Sequence, residues 1–159
     1  MMRVEAKLEE MELALPEPVK PPPGVRLSFA WVRVRGDLAY VSGHGPLNLD
    51  GSPAGPFGKV GLEVSPEEGY QAARECAIQQ LSMAKGVLGE LSRIKRVVKV
   101  LGMVNCVPGF TDSPAVMHGF SELMHSVLGE AGVHARSAIG VQALPANVPI
   151  EVETIFEIS

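Results

Sequence analysis

Cysteine is nearly absent: Cys76 and Cys106 are the only two in 159 residues, and neither belongs to a CxxC pair. That excludes a disulfide framework and a thiolate metal site, and both read as small hydrophobes inside apolar segments. There is no excess of basic charge, since 14 Lys and Arg stand against 18 Asp and Glu. A net charge of −4 gives nucleic acid no electrostatic footing. Arg93, Lys95, Arg96 and Lys99 do cluster, but around an apolar run, as on a solvated strand edge. No apolar run approaches the roughly 18–20 residues that a membrane span needs. The opening ten residues are charged throughout, unlike a signal peptide, so the expectation is a soluble, cytoplasmic protein. The phosphate-cradling GxxxxGK[ST] pattern is missing as well.

What is present is a chain with 46% hydrophobic residues, enough for one domain with a real core. Residues 3–13 place Val4, Leu8 and Met11 at helical spacing, and Leu15-Pro-Glu-Pro-Val-Lys-Pro-Pro-Pro-Gly24 follows as an extended strap. This divides the chain into an N-terminal helix and strap, 1–24, and a domain, 25–159. Ser28–Val34 and Leu38–Ser42 read as two strands joined through Gly36. The second runs into Ser42-Gly-His-Gly45, where glycines let exposed N–H groups face a ligand. Ser65-Pro-Glu-Glu68 opens a long helix with its N-cap, first-turn proline and capping-box acid in place. Ala73, Ala77, Leu81, Ala84 and Leu88 then recur on one face behind Tyr70. Ile94–Val107 is the longest strand candidate and reads as a central strand buried on both faces. A second helix follows Pro108–Pro114, with Val116, Phe120, Leu123, Met124, Val127 and Leu128 as its stripe.

The last segment, His134–Glu157, carries two apolar runs around a Pro/Asn turn, the pattern of a β-hairpin. Ile150, Val152, Ile155 and Phe156 carry its apolar weight, with Glu151 and Glu153 on the opposite face. Arg136 heads the first run. It is either an interface ion-pair partner for Glu151 or Glu153 or the floor of an anion site. His134 falls two positions earlier on the same strand face, and His44 is a loop histidine that either donates to a ligand or has no task. His118 and His125 lack the third ligand a zinc site requires. Trp31 and Tyr70 read as core or interface aromatics.

The predicted order is strand pair, helix, strand, helix, strand pair. This is an α+β pattern, with two helices on one face of a mixed sheet. The face left over still carries Val, Ile and Ala, so a homo-oligomer is expected.

Gly36-Asp-Leu-Ala-Tyr-Val-Ser-Gly43, Val97-Val-Lys-Val-Leu-Gly-Met-Val104, Ala135-Arg-Ser137, Leu144-Pro145 and Ile150-Glu-Val-Glu153 together resemble the Rid family. These are the reactive enamine/imine deaminases, also labelled YjgF-like or endoribonuclease L-PSP. The resemblance covers roughly residues 25–158, and the longer N-terminus resembles an extended branch. It implies a chorismate-mutase-like fold assembled as a homotrimeric barrel, with clefts between subunits. There Arg136 would grip a substrate carboxylate and Glu151 would position or activate water, with Ser42 and Gly43 lining the pocket. The implied reaction hydrolyses a 2-enamine or 2-imine acid to the 2-keto acid and ammonia, without metal or organic cofactor. The family's usual cysteine is replaced by Ala138, its aromatic hydroxyl by Phe29, its glutamine by His44, and an asparagine by Met117 or His118. These changes alter the pocket wall more than the clamp. They favour, as the alternative, a non-enzymatic binder of keto or amino acids in the same cleft. A ribonuclease or translation inhibitor is argued against by the acidic balance and by the lack of a His pair with a nearby Lys.

Overall fold

A computed structural model describes residues 4–21 and 23–159. The predicted N-terminal helix forms as α1, Val4–Glu10, burying Val4 and Leu8; its expected first residue, Arg3, lies outside the described residues. The segment after it runs along the domain. Leu13, Leu15 and Val19 pack on the core, Ser82 Oγ donates to Pro16 O at 2.5 Å, and Glu17 N donates to Leu49 O.

Two long helices cover one face of a five-stranded sheet. Helix α2 (Pro66–Leu88) starts at the predicted cap: Ser65 Oγ accepts from Glu68 N at 3.1 Å, and Glu68 Oε2 accepts from Ser65 N at 2.8 Å. Both first-turn N–H groups are thereby satisfied, and Glu67 and Glu68 sit at the positive end of the dipole. Helix α3 (Ser113–Leu128) buries the expected stripe together with Met117. The helices approach closely at Gly119, where an added Cβ would lie 2.0 Å from Tyr70 O.

The strands are β1 (Val32–Arg35), β2 (Leu38–His44), β3 (Ile94–Asn105), β4 (Ala135–Val141) and β5 (Ile150–Ile158), in the order β1-β2-β5-β3-β4. Here the expected C-terminal hairpin is corrected. β4 pairs parallel with β3 at the sheet edge, and β5 is inserted antiparallel between β2 and β3. β3, α3 and β4 thus form a strand–helix–strand crossover, which needs the helix to return the chain in the same direction. Residues 142–149 then carry the chain across the end of β3, where Asn105 Nδ2 donates to Asn147 Oδ1 and Val148 O.

Two smaller expectations also change. β3 is interior, so Arg93, Lys95, Arg96 and Lys99 do not mark an edge; Arg96 Nε pairs with Glu157 Oε2 at 2.8 Å and Arg93 donates to Ser159 O. In β5 it is Thr154, not Ile155, that joins Ile150, Val152 and Phe156 on the helix-covered side. β3 is buried on one face only within the chain. Val97, Val100 and Val104 lie beneath the helices, while Val98, Leu101 and Met103 remain accessible on the other face. With Tyr40 and Ile139 they give that face an apolar surface. No helix among the described residues is long and apolar enough to cross a membrane.

Candidate functional site

Arg136 stands one residue into the edge strand β4, in register with Val100 of β3 and, beyond it, Thr154 of β5. Val100 and Thr154 both lie on the helix-covered face. The Arg136 side chain follows that face and reaches α3, where Nη1 donates to Ser121 Oγ at 3.0 Å and Nη2 to Pro114 O at 3.2 Å. A guanidinium has five N–H donors, so three remain. Among the described residues no carboxylate forms an ion pair with it. The interface-pair alternative therefore finds no partner in Glu151 or Glu153 of the same chain. Partial burial pulls the group below its ordinary guanidinium value, a desolvation cost that an arriving anion would offset.

Beside Arg136 lies a cavity of about 450 Å³ lined by His118, Ser121, Glu122, His125, His134 and Arg136. His134 Nδ1 lies 2.7 Å from Gly132 O and Nε2 lies 3.0 Å from Ser121 Oγ. Its ring meets Phe120 edge-on at 5.9 Å. Burial, with Arg136 as a lesser cause, holds this imidazole below its ordinary value, against the opposing pull of Gly132 O. Ser121 was not singled out in the sequence; a serine inside an amphipathic helix carries no motif, and only the fold brings it to Arg136. Ala138, two residues beyond Arg136, packs on the core opposite Gly102, and Met117 fills the space above Gly102.

Glu151 is elsewhere. It is in register with Met103 and Ile139, an odd offset from the row that holds Arg136, so it projects from the uncovered face. Its carboxylate lies over Gly43, where a Cβ would come within 2.2 Å of Oε1. A bulge between Val41 and His44 turns the strand here. Partial burial, and secondarily Glu153, raise the Glu151 pKa above the usual carboxylate range. Ser42 Oγ donates to Ala30 O at 2.8 Å and borders a second cavity of about 230 Å³, shared with Arg33, Tyr40, Lys99 and Glu153.

Past the bulge His44 points inward. Its Nδ1 lies 2.6 Å from Ser42 O, its ring packs on Trp31 at 5.0 Å, and burial lowers its pKa. It is a core histidine in this chain. Phe29 is exposed and stacks edge-on against Trp31 at 4.7 Å. The predicted residues thus fall into two groups on opposite sheet faces: Ser42, Gly43 and Glu151 on one, Arg136 and Ala138 on the other. Among the described residues no group of three His, Cys, Asp or Glu side chains converges to hold a metal ion.

The chain is an α+β domain with a half-buried arginine at the parallel edge of its sheet and a glutamate over a glycine bulge on the other face. The YjgF/chorismate mutase-like family model matches residues 34–157, and the chain belongs to this family. Protein TCP17 of Trypanosoma cruzi is 37% identical over 99% of the chain and 95% of its own length. The crystal structure of Atu1372, a protein of unknown function from Agrobacterium tumefaciens, is 37% identical with a TM-score of 0.86, covering 98% of this chain and 91% of that one. Escherichia coli TdcF, solved with bound serine, shares the fold at 13% identity and a TM-score of 0.58, covering 91% of this chain and 94% of its own.

Proposed function

We propose that the protein hydrolyses 2-enamine and 2-imine carboxylic acids to 2-keto acids and ammonia, in clefts between the subunits of a homotrimer. One observation carries the reading: a half-buried guanidinium that, among the described residues, leaves three donors unused and pairs with no carboxylate, facing a cavity in a chain of net negative charge. A planar guanidinium grips a carboxylate through two parallel N–H bonds and fixes its orientation. Arg136 and Glu151 occupy opposite faces, so they can serve one ligand only when Arg136 of one subunit meets Glu151 of the next. The apolar uncovered face supplies the surface for that assembly. Sedimentation equilibrium tests it: three chains per particle is the expected result, and a monomer refutes it.

The chemistry asks little of the protein. Water adds to C2 of the imine while Glu151 takes one of its protons and passes it to nitrogen, which gives a carbinolamine. Glu151 then takes the remaining hydroxyl proton and delivers it to the amino nitrogen, so that the C–N bond breaks with its electron pair on nitrogen, ammonia leaves and the carbonyl forms. A glutamate whose pKa is raised by burial is better matched to both transfers near neutral pH. Positioning supplies the rest. Residues 25–159 form the reacting domain in this reading, and the strap before them braces α2. The serine bound by TdcF supports a small amino- or keto-acid ligand. A carboxylate binder without turnover is the second reading; it is favoured by His44 lying in the interior, which leaves Glu151 as the titratable group beside Gly43.

The test is ammonia and keto-acid release from 2-iminopropanoate, generated in situ by an amino-acid oxidase. Acceleration by the wild type and its loss in Arg136→Ala are the expected results. Equal rates with and without the wild type would sink the deaminase reading and leave the binder.

A further inference from the structure

The contacts behind Arg136 have a direction that follows from donor chemistry alone. Gly132 O can only accept, so His134 Nδ1 carries the proton facing it. In the neutral ring Nε2 is then an acceptor, and the Ser121 hydroxyl, 3.0 Å away, must donate to it. That leaves the Ser121 oxygen to accept from Arg136 Nη1. The chain runs Arg136 to Ser121 to His134 to Gly132, each hydrogen committed. While His134 is neutral, Ser121 has nothing to offer a ligand.

We propose that Ser121 and His134 are positioning residues that orient the Arg136 guanidinium. On protonation of His134 they deliver the Ser121 hydroxyl proton to a bound carboxylate. In the imidazolium both nitrogens donate, so the Ser121 oxygen accepts from His134 and Arg136 together, and its own proton swings into the cavity. The anion gains a donor and a nearby positive charge. By linkage it must raise the His134 affinity for a proton by the same factor. The groups facing His134 are Arg136 from β4 and His118, Glu122 and His125 from α3, with Glu130 of the following turn 3.7 Å from His125. Lys99 is engaged on the other face with Ser137. Glu122 accepts from the Tyr70 hydroxyl, so it is partly committed elsewhere.

This inference rests on the proposal that Arg136 binds carboxylate, and two measurements on the full chain keep them apart. The first needs no ligand. Nitrogen-15 spectra of the free protein at pH 8 should show His134 as the Nδ1–H tautomer, with Nε2 in its acceptor state; the opposite tautomer overturns the relay whatever Arg136 binds. The second titrates pyruvate by calorimetry at pH 8 and pH 5.5. Wild-type affinity should rise roughly tenfold on acidification, the scale of one added hydrogen bond to a charged acceptor, with net proton uptake on binding. His134→Gln should keep binding but lose most of this rise, and Ser121→Ala should weaken binding at both pH values and blunt it. A His134→Gln protein that retains the full pH dependence refutes delivery. Pyruvate binding that survives Arg136→Ala unchanged refutes the clamp and with it the delivery step, while the tautomer result still decides the relay.

Discussion

Gly43→Ala separates position from chemistry with a single methyl group. The backbone at Gly43 does not lie in the left-handed region, so alanine is conformationally acceptable. The new Cβ would fall 2.2 Å from Glu151 Oε1, 3.1 Å from its Cδ and 3.2 Å from its Cγ, whereas ordinary contact begins at 3.4 Å. The carboxylate oxygen must therefore retreat by about 1.2 Å, taking 3.4 minus 2.2. Glu151 is flexible at its far end and partly accessible, so the fold yields there at a cost of about 1 kcal/mol or less. Catalysis is less forgiving: a displacement of about 1 Å in a reacting group costs on the order of a hundredfold. Steady-state ammonia release from 2-iminopropanoate should show kcat reduced by about that factor. KM should change little, because the Arg136 contacts that hold the carboxylate are untouched by the substitution. Thermal melting should stay within a few degrees of the wild type. A Gly43→Ala enzyme with kcat within about threefold of wild type, well inside that expectation, would remove Glu151 from the chemistry.

Two further outcomes follow from the helix cap and the core. Ser65→Ala removes one half of the capping box and should destabilise the protein by about 1 kcal/mol in urea titrations; no change would mean that the strap and sheet, not the cap, fix the start of α2. His44 has a folded pKa held below its unfolded one, so the unfolded chain binds the extra proton first. Its stability contribution is complete above about pH 6.5, the unfolded imidazole value, and is lost as pH falls through the folded value. Denaturant midpoints should drop between pH 7.5 and 5.5, and His44→Gln should flatten that slope; an unchanged slope assigns the effect to other groups.

Helix boundaries were legible because their signals are local. Ser65, Pro66 and Glu68 specify a start within four residues of chain, and the stripe of α3 is a property of its own spacing. The last two strands were misjudged because turn residues between apolar runs are equally compatible with a hairpin and with a crossing. Eight residues, 142–149, separate β4 from β5, more than a tight hairpin uses, and β3–α3–β4 carries the alternation of a parallel crossover. Arg136 and Glu151 could be named from a pattern of residues. Their separation onto opposite faces depends on register, set by pairings far apart in sequence, as does the meeting of Ser121 with His134 and Arg136. The inward turn of His44 depends on one bulge, which shifts a side chain to the other face without leaving a mark in composition.

The insertion of β5 between β2 and β3 constrains how the protein is made. Until residue 158 has left the ribosome, the two halves of the sheet have no shared strand, and α2 has only part of its platform. Until β5 is made, the nascent chain carries an exposed half-sheet, with β2 and β3 each presenting an open edge to other chains. Folding of the sheet therefore waits for β5, and a chain stopped at residue 149 should melt without a cooperative transition. Newly made copies depend on the nine residues of β5 to become safe in a crowded solution.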